Sequence, residues 1–325
     1  MLCLSARRCS SSSKIHNACE GAGFGPPLLR LPNPTKTYYQ TLLFSADVIL
    51  MSGIIWIASY PKSGNTWLRA FIHNLFFNSA TAASINELDK VTMGDGRKDW
   101  YGKVAGGPVD GMDQYQLAQI RPRVHQLMST ANSDSVFVKT HSPLTEQHGT
   151  PAITMDCTSG AIYILRNPMD VVLSMSHHSG LDVDTTIDLL ANATAGAPED
   201  PRNIPITLGT WSQHVKSWTQ DANESLYVVR YEDLYESPKV YFGNMVHFLG
   251  LHCSSSRLSK AINFSSFDVL QKQEQSQGFR ERSPMSNAFF RSGEADQWRS
   301  HLSRSQIDKI VAAHGDQMDR FNYLP

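Results

Sequence analysis

Four short apolar runs, each ending in charged or polar residues, set the pattern of this chain. Ile54–Ser59 (IIWIAS) is β-branched and aromatic, as a strand buried on both faces should be. It runs into the turn Tyr60-Pro61-Lys62-Ser63-Gly64-Asn65, and a helix is expected from Thr66. There Trp67, Leu68, Phe71, Ile72, Leu75 and Phe76 fall on one helical face. Three more runs read as strands: Ser135–Val138, Ala161–Leu165 and Leu226–Val229. They end in Lys139-Thr140-His141-Ser142-Pro143, in Arg166-Asn167-Pro168-Met169-Asp170 and in Arg230-Tyr231-Glu232-Asp233. Helical strings follow, among them VVLSMSHH and Pro238–Leu249. Strands alternating with helices predict an α/β fold: a single domain, a central parallel sheet and helices on both faces. Near the end, Ser303 should cap a closing helix to Met318, with Ile307, Ile310, Val311 and His314 on its inner face.

In an open parallel sheet, ligands sit beyond the carboxyl ends of the strands. The four runs would deliver Lys62, Lys139 with His141, Arg166 and Tyr231 to one rim, a cationic pocket. The first unit, strand then glycine-containing turn then helix, aims backbone N–H groups at a phosphate. Lys62, Ser63 and Thr66 add a cation and two hydroxyls. The turn is P-loop-like without being a Walker A loop, because its lysine precedes the glycine and GxxxxGK[ST] is absent. His141 follows Lys139 by two positions, so strand alternation sets both on the same side. Asp170 reads as a helix-start carboxylate. His177 and His178 are adjacent, about 100° apart on a helix, and do not form an i, i+4 metal pair. No metal site is expected.

These strings resemble a known family. YPKSGNTW, KTHSP, RNPMDVVLS, YEDL and FFRSG occur in the order found in the cytosolic-type sulfotransferases that use 3′-phosphoadenosine 5′-phosphosulfate (PAPS), over about Ile54 to Trp298. The first string together with the arginine-to-serine string is the specific part. The resemblance implies a PAPS co-substrate, with the turn Lys62, Ser63, Gly64, Asn65 and Thr66 on its 5′-phosphosulfate. It implies Trp67 and Tyr231 at the adenine, and Arg166, Ser174, Arg291 and Gly293 at the 3′-phosphate. Ser266 and Phe267 match a further donor-binding string loosely. His141 would be the catalytic base, with Lys62 and Lys139 stabilising the leaving and transferred oxygens. The acceptor would be a small molecule or other bearer of a hydroxyl, less readily an amine. Two departures stand out: Asn65 replaces the family's usual threonine, and Ser292 replaces a lysine of the late motif, removing a cation. The short dimerisation string that some animal members carry is absent, which leaves a homodimer open. Two alternatives remain: a P-loop kinase-like phosphotransferase and a nucleotide-binding module without catalysis.

Composition narrows the setting. The chain has 325 residues, 41% hydrophobic and 18% charged, an ordinary globular balance. Its net charge of −1 shows no basic excess suited to nucleic acid. Residues 1–50 differ, with five basic residues against two acidic ones, the run Ser10–Ser13 and a Gly/Pro-rich stretch. They read as a dispensable leader before a domain spanning 51–325. A cytoplasmic location is expected, or an organelle if the leader is a transit peptide. The apolar stretch Leu42–Ala58 is short, is interrupted by Asp47 and is needed in part as a strand, so no transmembrane segment is expected. Three stretches, the glycine-rich 94–111 and the polar 181–205 and 271–284, read as long loops, either lids over the acceptor side or disordered surface.

Overall fold

The apolar runs become the strands of one sheet in the structure, a computed structural model that describes residues 53–325. The leader expected over 1–50, the start of the domain at Met51 and the first part of the apolar stretch Leu42–Ala58 lie outside the described residues.

In chain order, β1 (Ile54–Ala58) leads to α1 (Asn65–Phe77), a 3-10 turn at Ile85–Lys90 and β2 (Thr92–Gly94). Then come α2 (Lys98–Ala105), α3 (Gln114–Ser129), β3 (Val136–Thr140), a small hairpin of β4 (Glu146–Gln147) and β5 (Thr150–Pro151), and β6 (Thr158–Leu165). α4 (Pro168–Ser179) and α5 (Val183–Leu190) precede a second hairpin, β7 (Gly196–Ala197) with β8 (Ile206–Thr207). The remainder is α6 (Trp211–Thr219), β9 (Leu226–Arg230), α7 (Tyr231–Glu236), α8 (Pro238–Phe248), α9 (Ser255–Phe264), α10 (Phe267–Gln277), α11 (Trp298–His301) and α12 (Arg304–Arg320).

The main sheet has the order β2-β3-β1-β6-β9, and every pairing in it is parallel. β1 is central, and Trp56 stands opposite Val138 on one side and Ala161 on the other. Alternate side chains go to opposite faces. Trp56, Val138 and Tyr163 join α3, α4, α6 and α12 through Val124, Val172, Trp211 and Ile310. Ile55, Ile57 and Ile164 join α1, α8 and α9 through Phe71, Phe242 and Ala261. Helices therefore cover both faces, as an all-parallel sheet requires. Each such large side chain, once buried, contributes about 1.5–3 kcal/mol.

The three stretches expected to be loops each contain a helix. α2 lies within 94–111, α5 within 181–205, and α10 runs through 271–277. α2 and α10 each bury a single apolar residue, Tyr101 and Leu270, so their sequences lack a wide apolar stripe, whereas α5 buries Ile187 and Leu190 but is only eight residues long. Two boundaries also move. α1 opens at Asn65, one residue early, and Asn167, rather than Asp170, caps α4 by accepting from the Met169 N–H. Asp170 instead accepts from the N–H groups of Asp296 and Trp298, at 2.8 and 3.1 Å, and fastens the late segment to α4. Among the described residues, no helix is long and apolar enough to cross a membrane.

Candidate active site

Every main strand except β2 ends at a chemically distinct residue, and these ends share one edge. After β1 the chain turns sharply, with Lys62 at φ 69° and Gly64 at φ 108°. At Gly64 a Cβ would fall 2.8 Å from Ile164 Cδ1 and 2.9 Å from a Tyr231 ring carbon, so only glycine fits. Asn65 braces the turn, its amide donating to Ile57 O at 2.9 Å and Ser59 Oγ at 3.2 Å. That commits its side chain inward and leaves its backbone N–H at the helix start. The Ser63 hydroxyl is fully buried and has no partner within the protein. A buried orphan hydroxyl beside unsatisfied helix N-terminal N–H groups fits a phosphate-type oxygen. Lys62 Nζ lies 3.9 Å from the centre of the Phe289 ring. Burial, then the charges of Lys139 and Arg166, lower the Lys62 amine from 10.5 to about 7.

At the end of β3, Thr140 Oγ1 donates to Asp95 Oδ2 at 2.5 Å and accepts from the Ser142 N–H at 2.9 Å, which fixes the bend. The His141 ring places Nδ1 2.8 Å from Ser59 O. A carbonyl only accepts, so Nδ1 carries the hydrogen and Nε2 keeps its lone pair. Burial first, then the Lys139 charge, holds the His141 pKa well below the usual histidine value, so the ring is neutral. Lys139 Nζ sits 3.5 Å from Glu281 Oε2, while Glu281 also accepts from Arg69 at 2.8 and 2.9 Å. Against the cost of burial, Lys139 and Arg69 bring the Glu281 carboxyl down to about 2.

After β6, the Arg166 guanidinium lies 4.3 Å over the Tyr231 ring and donates to Glu294 O at 2.7 Å. Its Nε is buried without a partner. Tyr231 opens α7 rather than extending β9, and its hydroxyl donates to Gly293 O at 2.6 Å. Trp67 meets Tyr231 edge-on at 5.5 Å and Phe242 at 5.4 Å. Gly293, at φ 70°, lets Phe267 approach so closely that a Cβ would lie 2.2 Å from that ring. The turn, Lys139, His141, Arg166, Trp67, Tyr231, Phe267 and Gly293 thus belong to one connected edge. Ser266 stands at the N-cap of α10, beside Phe267. Ser174 is half-buried within α4, two turns on from Arg166. Arg291 is exposed and turned onto Gln297 Oε1 at 2.7 Å.

Several site residues are not evident from the sequence. Glu274 and Glu281 come from the late polar stretch, more than 130 positions from Lys139 or Lys62, and no local string marks them; Phe289 opens the FFRSG string, but nothing there assigns it a role toward Lys62. His178 is near the site: burial, then Lys62 and Lys139, lowers it to about 4.

The geometry agrees with what the chain resembles. A family model described as a sulfotransferase domain matches residues 53–322. The mouse sulfotransferase 1 family member D1 is 25% identical over 276 residues, covering 82% of this chain and 83% of its own. The dog sulfotransferase 1B1 is 24% identical over 267 residues, covering 81% and 82%. Among solved structures, retinol dehydratase in complex with androsterone and the inactive cofactor PAP shares the fold with a TM-score of 0.58 and 18% identity, over 82% of this chain and 80% of the other. Mouse sulfotransferase SULT7A1 complexed with PAP gives a TM-score of 0.54 and 17% identity, over 82% and 84%. The chain belongs to the sulfotransferase family, the enzymes that take a sulfuryl group from PAPS and place it on an acceptor.

Proposed function

We propose that this edge binds PAPS and sulfonates a hydroxyl, less readily an amine, of a small-molecule acceptor. One observation carries the assignment of roles. Lys62, Lys139, His141 and Arg166 lie at the ends of the adjacent strands β1, β3 and β6, around a turn whose buried Ser63 hydroxyl has no protein partner. Sulfuryl transfer resembles phosphoryl transfer in needing position and charge more than covalent help.

Ser63, Thr66 and the backbone from Lys62 to Asn65 hold the 5′ end. Trp67 and Tyr231 flank the adenine, with Phe267 and Ser266 behind Gly293. Arg166, Ser174 and Arg291 hold the 3′-phosphate. His141 Nε2 takes the acceptor's proton as the new oxygen–sulfur bond forms. Lys62 stabilises the bridging oxygen as the old bond breaks, and Lys139 neutralises the nonbridging sulfuryl oxygens. Such donors, shielded from water, are each worth a few kcal/mol. A positioned base adds about 100- to 10,000-fold. The neutral state and free Nε2 of His141 suit that task. Small-molecule acceptors are supported by the retinol dehydratase structures, whose complexes hold androsterone or retinol.

The test is a thermal shift. Adenosine 3′,5′-bisphosphate should raise the midpoint, as any ligand of the native state does, and AMP should raise it far less. Equal shifts would remove the 3′-phosphate roles of Arg166, Ser174 and Arg291. An acceptor screen read by mass spectrometry then identifies the sulfonated product.

A further inference from the structure

Behind the site lies a buried histidine that the reaction as derived above does not use. His214, on α6, is fully buried. Its Nε2 is 3.0 Å from the backbone oxygen of His141, and its Nδ1 is 2.9 Å from the hydroxyl of Tyr163, itself fully buried on β6. The His141 oxygen can only accept, so His214 Nε2 carries the hydrogen. Nδ1 then offers its lone pair, and the Tyr163 O–H donates to it. Each group has a complement, and only one tautomer satisfies both.

The chain of donors continues through the site. Tyr163 O–H gives to His214 Nδ1, and His214 Nε2–H gives to the His141 carbonyl. The His141 Nδ1–H gives to Ser59 O, and Asn65 reaches the hydroxyl of the same serine. His141 is thus fixed at both its backbone and its ring. The Tyr60 ring meets His214 edge-on at 5.4 Å, and Tyr163 lies nearly parallel to it at 5.8 Å, which prevents the imidazole from swinging. Burial lowers the His214 pKa to about 4, so the ring is neutral at neutral pH.

We infer that His214, oriented by Tyr163, is a positioning residue that holds the His141 backbone, and with it the direction in which the ring presents Nε2 to the acceptor's proton; this rests on the reading of His141 as the base. His214 touches neither substrate, so its loss should appear only where proton removal limits the rate. A misplacement of about 1 Å at a catalytic group can cost on the order of 100-fold.

The experiment compares a primary alcohol acceptor with 4-nitrophenol, whose acidic hydroxyl needs little help. His214→Phe keeps the ring volume but no hydrogen bond, and His214→Gln returns a donor near Nε2. His214→Phe should lower kcat for the alcohol about 10- to 100-fold, leave its KM and the affinity for adenosine 3′,5′-bisphosphate within about twofold, and hardly affect 4-nitrophenol. His214→Gln should restore most of the loss. The ¹⁵N spectrum of the His141 ring should keep its Nδ1–H tautomer, set by Ser59 O, and should shift and broaden in His214→Phe as the ring loses its fixed direction. If His214→Phe does not fold, Tyr163→Phe, with a smaller loss of the same acceptor selectivity, carries the test. Equal losses on both acceptors, or an unchanged His141 spectrum, would overturn the inference. His141→Ala runs in parallel. If it alone abolishes turnover of the alcohol while His214→Phe and Tyr163→Phe match the wild type, only the positioning role falls. If His141→Ala keeps full kcat, the base assignment falls and the positioning role with it.

Discussion

Lys62 is the residue whose environment departs furthest from what its sequence position suggests. A loop lysine is normally charged throughout the neutral range, yet burial and the Lys139 and Arg166 charges bring this one to about 7. An anion placed on it draws the proton back. Below pH 6 the amine is charged with or without ligand, so binding moves no proton. Between about 7 and 10.5 the free protein holds it largely neutral, so binding consumes a proton and affinity falls as pH rises. Titration calorimetry of adenosine 3′,5′-bisphosphate at pH 8.5, in two buffers of different ionisation heat, should reveal uptake approaching one proton. Lys62→Gln should abolish it, and equal heats in both buffers for the wild type would refute the coupling. Lys62, His141 and Arg166 are legible because each ends an apolar run within a local string. Glu281 is not, since its meaning lies in Arg69 and Lys139, far away in sequence. His214 reads as one of 12 histidines until its two hydrogen bonds are seen.

At the scale of elements, apolar periodicity gives β1, β3, β6, β9, α1 and α12, because each buries a face that its sequence announces. Among the elements it leaves unassigned are β2, three residues at the sheet edge, the two small hairpins, and the helices α2, α3, α5, α6, α9 and α10. α10 is tied down by polar contacts. Gln271 donates to Phe290 O, Gln273 accepts from the Ile85 N–H, and Glu274 accepts from the N–H groups of Phe289 and Phe290 at 2.7 and 2.9 Å. Partners of this kind leave no periodic trace. Glu274→Ala should orphan both N–H groups and cost about 2 kcal/mol, read as a lower thermal midpoint. It should also weaken adenosine 3′,5′-bisphosphate, because the same segment carries Phe289 onto Lys62 and leads to Arg291 and Gly293. An unchanged ligand affinity would show that the segment does not support the donor site.

For the whole molecule, the parallel sheet and the shared edge follow from four runs and their endings, whereas the order β2-β3-β1-β6-β9 is seen only in the structure. What could not be read was how the polar stretches between them close over that edge. The family match begins at residue 53, and β1 is buried on both faces. A protein starting at Met51 should therefore keep the full-length thermal midpoint and the same response to adenosine 3′,5′-bisphosphate. Insoluble or destabilised protein would show that residues 1–50 contribute to the domain.

The central place of β1 has a consequence for how the chain reaches this state. Among the described residues β1 is the first strand made, and it pairs with strands made much later: Ile54 with Val136 on one side, and Ala58 with Tyr163 on the other. No hairpin can hold it in the interval. Until Tyr163 has left the ribosome, IIWIA is an apolar β-former with one edge open at best, the kind of segment that aggregates or recruits chaperones. Closing loops of this length before any sheet contact forms also places refolding at the slow end for a chain of this size.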